Sequence, residues 1–401
     1  MRLADRYRAV LLDLDGVMYR GDRAVPGAAE AVAELRRGGT QIVFLTNNSA
    51  RTPEQVAAGL RGLGVEATSD EVVTSARPAA RLVAGDGAST TAYVIGEDGV
   101  RTALAEAGVE VVDGAPERVD AVVVGWDGDV GYDELRMASV LVRRGARLVA
   151  TNDDASYPAP GGELWPGAGA ILAAVETAAG VTATVAGKPH RPLFDEALKM
   201  SGTREAVMVG DRVETDVVGA ARAGIDAVLV LSGASTRADL VGLDRLPVAV
   251  GADVGVLLED RAPAVPRPAL DEELPAVRHL VEAPPDVPAW GPEGVWVIDR
   301  ENELLATATA EVRGSEAYLR GVATRPDQRG RELGTLVVAA ALGDARRRGA
   351  RACFLLTETA ERFFQRLRFS RVDRGEVPAW ALERSPECPV SAAAMVRELD
   401  Q

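Results

Sequence analysis

Cysteine and long apolar runs are scarce in this chain. Two cysteines in 401 residues, Cys353 and Cys388, exclude a disulfide framework, and neither has His or Cys neighbours at zinc-binding spacing. No apolar run approaches the roughly 18 residues of a transmembrane helix, so we expect no membrane partner. The first strand pattern begins within about ten residues of Met1, so no signal peptide is expected. These absences predict a cytoplasmic protein.

Positive charge is also in deficit, and lysine is nearly missing. The formal net charge is -15 and the sequence pI is about 4.8, which argues against non-specific binding to nucleic acid. Only two of the 45 basic residues are lysines, and the Ala-, Gly-, Val- and Arg-rich composition suggests a coding bias that replaces lysine with arginine. A surviving lysine is therefore a functional lead. Lys188 lies in a tight loop before a proline, whereas Lys199 lies in a helical pattern.

The most informative residues present are Asp13 and Asp15, which directly follow the apolar run 9–12. That run predicts a buried strand, at whose end two aspartates one residue apart point the same way. Two like charges held so close imply a bound cation or one protonated carboxyl group. A carboxylate nucleophile beside a carboxylic acid, over a magnesium ion, suits phosphoryl transfer.

The 401 residues, 47% of them hydrophobic, are enough for two or three domains. Strand patterns alternate with helical ones, which predicts an α/β fold with a parallel sheet flanked by helices. Polar clusters follow several strands, where ligands bind in such sheets. We predict the following organisation: a Rossmann-like core (1–78), an inserted α/β cap (79–184), the rest of the core (185–259), a proline-rich linker (260–270) and a C-terminal α+β domain (271–401).

Four polar clusters supply what phosphate-ester hydrolysis needs. An aspartate must attack phosphorus, and a second must protonate the leaving oxygen and then activate water. A hydroxyl and backbone N–H groups must hold the phosphoryl oxygens, a lysine must offset their charge, and further carboxylates must bind a hard cation. The clusters are Asp13-Leu14-Asp15-Gly16, Thr46-Asn47-Asn48, Gly187-Lys188-Pro189 and Gly210-Asp211-Arg212 with Thr215-Asp216.

These ordered motifs resemble the haloacid dehalogenase superfamily over residues 5–259, and more narrowly its 4-nitrophenyl phosphatase and phosphoglycolate phosphatase branch. The cap runs Asn152-Asp153-Asp154 and Trp165-Pro166-Gly167-Ala168-Gly169 are also similar to this branch. The resemblance implies these roles: Asp13 as nucleophile, Asp15 as general acid and base, Thr46, Asn47, Asn48 and Lys188 as substrate-binding residues, Asp13, Asp15 (by its backbone carbonyl) and Asp211 as magnesium ligands, and Asp216 as their support.

The motifs leave the substrate open. The large cap favours a small phosphorylated metabolite enclosed from solvent. Proteins of this two-part design resemble actinobacterial glycerol 3-phosphate phosphatases, so glycerol 3-phosphate ranks first. Phosphoglycolate, nucleotides, sugar phosphates and pyridoxal phosphate remain alternative substrates. A mutase or transferase and a non-enzymatic scaffold remain alternative functions. The sequence also leaves a homo-oligomeric assembly open. Asp15 and Asp211 argue against a dehalogenase.

Residues 271–398 resemble the GCN5-related N-acetyltransferase (GNAT) fold. That resemblance implies a coenzyme A loop at Arg329, Gly330 and Gly334, but the middle glycine of the family pattern is Glu332 and another usual glycine is Arg368. At about 4 Å and an effective dielectric constant of about 20, a carboxylate facing a phosphate costs about 4 kcal/mol. We therefore expect a degenerate domain that serves stability, oligomerisation or regulation. A bifunctional enzyme or an acetyl-CoA sensor is the alternative.

Overall fold

The computed structural model describes residues 1–85, 90–158, 163–282, 291–384 and 388–399, so small parts of the predicted cap and C-terminal domains lie outside the described residues. The chain forms two compact units. The first contains Met1–Gly233 and Ala252–Asp260, and the second contains Ala234–Gly251 and Arg261–Gln401. Residues 234–251, which the sequence analysis groups with the first unit, thus belong to the second; we refer to them as the 234–251 segment.

The elements of the first unit are, in chain order, β1 (Ala9–Asp13), β2 (Tyr19–Arg20), β3 (Arg23–Ala24), α1 (Ala28–Arg37), β4 (Gln41–Thr46), α2 (Pro53–Gly62), β5 (Val72–Thr74), α3 (Ala76–Ala84), β6 (Thr90–Ile95), α4 (Asp98–Glu106), β7 (Val109–Val111), β8 (Ala121–Val124), α5 (Tyr132–Arg143), β9 (Arg147–Ala150), β10 (Ser156–Pro158), β11 (Leu164–Pro166), α6 (Ala168–Ala179), β12 (Thr184–Val185), α7 (Arg191–Ser201), β13 (Ala206–Gly210), α8 (Val218–Ala223) and β14 (Asp226–Val230). Those of the second unit are β15 (Ala249–Gly251), β16 (Arg267–Pro268), α9 (Leu274–Leu280), β17 (Val295–Arg300), β18 (Glu303–Arg313), β19 (Glu316–Thr324), α10 (Leu333–Arg347), β20 (Ala352–Thr357), α11 (Glu361–Gln365), β21 (Ser370–Val372), α12 (Ala379–Leu382) and β22 (Ala393–Glu398).

The core sheet of the first unit positions the candidate site. Its parallel strands run in the order β14-β13-β1-β4-β5. Every residue of β1 and β13 is buried, because helices cover both faces of a parallel sheet. The carboxyl ends of β1, β4 and β13 meet at one edge, so Asp13, Thr46 and Gly210 are brought together there.

A second parallel sheet forms the inserted cap, in the order β12-β9-β8-β6-β7. Its apolar strands are covered by helices on both sides. Buried hydroxyls link the cap to the core, since Ser49 Oγ and Thr151 Oγ1 lie 2.9 Å apart. Asn152 Nδ2 also donates to the carbonyl of Asn47 at 2.8 Å. These bonds fix the end of β9 against the end of β4.

The second unit contains a different kind of sheet. Its strands run in the order β16-β17-β18-β19-β20-β22-β21 and are antiparallel, except that β19 and β20 are parallel. Helix α10 packs against β18 with an almost entirely buried surface. The predicted fold class, an α/β core with an inserted α/β cap and a C-terminal α+β domain, is confirmed. Among the described residues no helix has the length and apolar character to cross a membrane.

Candidate active site

Asp13 is the last residue of β1, and Asp15 follows in a tight turn. The Gly16 amide donates to the Tyr19 carbonyl at 2.7 Å, and Gly16 has a φ of +78°, which glycine adopts without strain. Asp13 is buried and Asp15 partly buried. Burial raises the pKa of Asp15, although Lys188, Arg51 and Arg212 oppose the shift. A carboxyl group that keeps its proton to higher pH suits a general acid.

Lys188 joins two of the buried carboxylates. Its Nζ donates to Asp13 Oδ1 at 2.6 Å and to Asp216 Oδ1 at 2.7 Å, and the residue is only 2% exposed. Burial lowers the pKa of Lys188, but the carboxylates of Asp13 and Asp216 outweigh it and hold the pKa above its ordinary value. The lysine is therefore a permanent positive charge, which fixes the orientation of the Asp13 carboxylate.

Three carboxylates at this edge of the sheet fit a divalent cation. Oxygens of Asp13, Asp211 and Asp216 lie within 4.8 Å of one another, and all three residues are buried. Burial raises the pKa of Asp13, Lys188 lowers it, and Asp216 and Asp211 raise it again, with the balance well above the ordinary value. With a cation bound, all three would be ionised, and three carboxylates against Lys188 would leave two excess negative charges. Hard oxygen donors with that charge match Mg²⁺ or Ca²⁺.

Glycines make room for these carboxylates. A Cβ added at Gly233 would lie 1.8 Å from Asp211 Oδ2, and one at Gly16 would lie 2.3 Å from it. A Cβ at Gly210 would lie 2.2 Å from the Asp216 side chain. Contacts under 3.0 Å force atoms to move, so the Asp211 and Asp216 carboxylates can occupy their positions only because these residues have no side chain.

The cluster of Asp13, Asp211 and Asp216 differs in one member from the magnesium ligands that the resemblance implies, which are Asp13, Asp15 and Asp211. Asp13 and Asp211 are in it, and Asp216, expected as a support, is the third member. Asp216 also accepts from the Arg212 amide at 3.0 Å, which anchors its second oxygen. The Asp15 carboxylate is outside the cluster, and its expected contribution as a backbone carbonyl stays a prediction.

The Thr46-Asn47-Asn48 turn holds the Lys188 loop. The side chain of Asn47 accepts from the Lys188 amide at 2.7 Å and donates to the Lys188 carbonyl at 3.0 Å. The Asn48 amide donates to Thr46 Oγ1 at 3.1 Å, and Asn48 Oδ1 accepts from the Ala50 amide at 2.9 Å. The Asn47 side chain thus positions Lys188, and the predicted phosphoryl-binding role of these three residues stays a prediction.

Two cap residues that the sequence analysis left out of the site meet it in the structure. Asp154 Oδ2 accepts from Asn47 Nδ2 at 3.0 Å, and burial raises the pKa of Asp154. Asp153 Oδ2 lies 3.0 Å from Nε2 of His190, which adjoins the Lys188 loop. The polar run 152–154 after β9 was the available signal, because it occupies a strand end like the core motifs.

The predicted coenzyme A loop lies before α10 in the second unit. Gly330 has a φ of +80°, and a Cβ there would meet nothing within 4 Å. A Cβ at Gly334 would lie 3.3 Å from Thr324 Oγ1. Arg329 Nε donates to the Thr324 carbonyl at 3.4 Å. The Glu332 carboxylate is bound by Arg237 and Thr335, so this loop already contains an anion from the chain itself.

Comparison with known families accounts for both units. A haloacid dehalogenase-like hydrolase model matches residues 10–110, and a HAD-hydrolase-like model matches residues 185–257. The acetyltransferase (GNAT) family model matches residues 267–369. The acid sugar phosphatase of Staphylococcus epidermidis is 37% identical over 256 residues, which are 63% of this chain and 98% of that protein. That of Staphylococcus aureus is 39% identical over 237 residues, which are 59% of this chain and 90% of that protein.

Solved structures are similar over one or both units. A glycerol phosphate phosphatase of Mycobacterium tuberculosis, Rv1692, in complex with magnesium, is 31% identical with a TM-score of 0.72. The similarity covers 92% of this chain and 98% of that one. A thermostable NPPase of Geobacillus stearothermophilus is 38% identical with a TM-score of 0.57, over 63% of this chain and 98% of that one.

Proposed function

Because the chain belongs to the haloacid dehalogenase-like hydrolases and is a phosphoric monoester hydrolase, we propose that it cleaves the phosphate ester of a small polyol, with glycerol 3-phosphate as the first candidate. The proposal depends above all on one observation, the Lys188 ammonium held between Asp13 and Asp216 beside Asp211. This arrangement combines an oriented nucleophile with a carboxylate cluster for a cation. We propose Mg²⁺ as that cation, held by Asp13, Asp211 and Asp216.

The residues suggest a two-step reaction. A carboxylate oxygen of Asp13 forms a bond to phosphorus while the bond from phosphorus to the ester oxygen breaks, and Asp15 gives its proton to the departing alcohol. Asp15 then takes a proton from a water molecule that attacks the aspartyl phosphate, which releases inorganic phosphate and restores Asp13. Lys188 balances charge on Asp13 and the phosphoryl group throughout. A bound Mg²⁺ supplies further neutralisation of the phosphoryl oxygens.

The substrate proposal rests on the relatives. Acid sugar phosphatases match the first unit, and a glycerol phosphate phosphatase matches both units over 92% of the chain. Polyol phosphates are therefore favoured over phosphoglycolate and nucleotides, which remain alternatives. The cap, linked to the core through Asn47 and Asp154, is the part of the unit that can enclose so small a molecule.

A panel of phosphate monoesters, each assayed with magnesium and with a chelator, tests the proposal. We expect the highest kcat/KM for glycerol 3-phosphate, and phosphate release that requires the metal. Asp13→Asn should lower kcat by more than about 10³-fold without changing the circular dichroism spectrum. Full activity in that variant would overturn the mechanism. Preference for another monoester would overturn only the substrate.

The match of residues 267–369 to acetyltransferases supports a second candidate, a bifunctional enzyme or an acetyl-CoA sensor. The Glu332 carboxylate in the pyrophosphate loop opposes it, because it places negative charge where phosphates would bind. Isothermal titration with millimolar acetyl-CoA decides between them, since heat of binding would favour this candidate and its absence would reject it.

A further inference from the structure

Five described residues of the second unit other than glycine have a positive φ, and two of them, Glu332 and Arg368, stand where the resembled family has glycine. Glu332 has a φ of +60° and Arg368 a φ of +59°, in the left-handed region where a Cβ is strained. The sequence resemblance places glycine at both positions. The backbone at both sites is thus glycine-like although the residues are charged, so their side chains must contribute something that offsets the strain.

Both side chains bind the same short stretch of the 234–251 segment. Arg237 donates to the two oxygens of Glu332, from Nε at 2.9 Å and from Nη2 at 2.8 Å. Arg368 Nη2 lies 2.9 Å from Asp239 Oδ1. The charges are opposite in each pair, so the two former glycine positions and residues 237–239 are complementary.

The pair formed by Glu332 and Arg237 is the better enclosed of the two. Their side chains are 19% and 25% exposed, and Thr335 Oγ1 adds a bond to Glu332 Oε2 at 2.7 Å. Burial raises the pKa of Glu332, but the bonds from Arg237 and Thr335 outweigh it, so the pKa lies below its ordinary value. Glu332 also precedes the first turn of α10, where a negative charge is stabilised by the helix dipole. The Glu332 carboxylate is thus a fixed anion at the N-terminus of α10.

Two further arginines bond to backbone carbonyls of the 234–251 segment and of the coenzyme A loop. Arg397 Nη2 donates to the Ala238 carbonyl at 3.1 Å. Arg261 Nη2 donates to the Arg331 carbonyl at 2.6 Å, and its Nη1 donates to the Val250 carbonyl at 3.4 Å. The coenzyme A loop and the 234–251 segment therefore share one network of ionic and backbone hydrogen bonds.

We propose that the acetyltransferase-like unit is a docking module for the 234–251 segment, with Glu332 and Arg368 as the residues that bind it. The coenzyme A loop is used to bind part of this chain instead of a cofactor. The bound segment is in sequence part of the phosphatase, since the hydrolase match extends to residue 257. This role is independent of the phosphatase substrate.

Hydrogen–deuterium exchange of the full chain tests the proposal, with Glu332→Gly and Arg368→Gly as variants. Glycine adopts the left-handed backbone at both positions without strain, so a loss of protection greater than that in a glycine control comes from the lost side chains. The reporters are the amides of Asp239, Val241 and Leu243, which donate within the segment at 3.2, 3.3 and 3.4 Å. We expect exchange of these amides to rise about tenfold in each variant and further in the double variant.

Asn302→Gly is the matched control. Asn302 has a φ of +68° and lies in the exposed turn between β17 and β18. It is distant in sequence from the 234–251 segment and belongs to neither the Glu332–Arg237 nor the Arg368–Asp239 pair. Its replacement relieves the same strain, and exchange in residues 236–243 should not change. Exchange in Glu332→Gly and Arg368→Gly that is no faster than in Asn302→Gly would overturn the proposal. So would protection of the α10 N-terminus by acetyl-CoA in the unmodified chain.

Discussion

The two units treat glycine in opposite ways at their ligand loops. In the first unit Gly16, Gly210 and Gly233 remain where any Cβ would displace the carboxylates of Asp211 or Asp216. In the second unit, charged Glu332 and Arg368 stand at left-handed positions where the resembled family has glycine. A site that must admit a cation and a phosphate keeps its space. In the loop that we propose binds the 234–251 segment, the chain's own side chains stand at the glycine-like positions.

We expect the largest effect from replacing Lys188 in the carboxylate site of the first unit. Lys188→Met removes the ammonium that bonds both Asp13 and Asp216, so we expect kcat/KM to fall about 10³-fold. The measurement is steady-state phosphate release with magnesium. Lys199→Met is the control, because Lys199 is exposed on α7 and should be replaceable without loss. Equal activity of the two variants would contradict the proposed role of Lys188.

A glycine substitution at the site tests whether its space is needed. In Gly233→Ala the new Cβ would meet Asp211 Oδ2 at 1.8 Å, so the carboxylate must move. We expect about 10²-fold loss of kcat/KM and weaker activation by magnesium, measured by titrating the metal in the assay. Gly59→Ala is the matched control, since a Cβ at this α2 position meets nothing within 4 Å. If Gly233→Ala kept its response to magnesium, the Asp211 carboxylate would not need the space beside Gly233.

The smallest expected effect is on the pH dependence of stability, through Glu332 in the coenzyme A loop. The pKa of Glu332 is lowered in the folded chain, so its ionised form stabilises the fold above its ordinary pKa of 4.5, and this contribution is lost as the pH falls through the lower folded value. Glu332→Gln should therefore lower stability near pH 7 by about 1 kcal/mol, and the difference should shrink as the pH falls below 4.5.

Thermal unfolding at several pH values measures this difference. Glu301→Gln is the control, because Glu301 also has a positive φ, of 52°, but is exposed in the turn between β17 and β18. Its replacement should leave the unfolding temperature unchanged at every pH. A destabilisation by Glu332→Gln that stays constant down to acid pH would show that charge pairing with Arg237 is not its cause.

Much of the candidate site could be predicted from sequence because its parts follow strands. Asp13, Thr46 and the residues after Gly210 are each adjacent to an apolar run, and parallel strands bring such positions to one edge. The bonds of the Asn47 side chain to the Lys188 backbone and to Asp154 could not be predicted, because these partners are more than a hundred positions away. The polar run 152–154 marked Asp154 as a strand-end residue, but its contact with Asn47 depends on the fold.

Local periodicity and the residue types at strand ends were enough to predict the family, the fold class and the order of the motifs. Contacts between distant parts of the chain were needed to find which carboxylates share Lys188, which unit contains the 234–251 segment and what Glu332 and Arg368 bind. Glu332 looked from sequence like simple damage to a cofactor loop. Its partner Arg237 is 95 positions away, and only folding brings the two together.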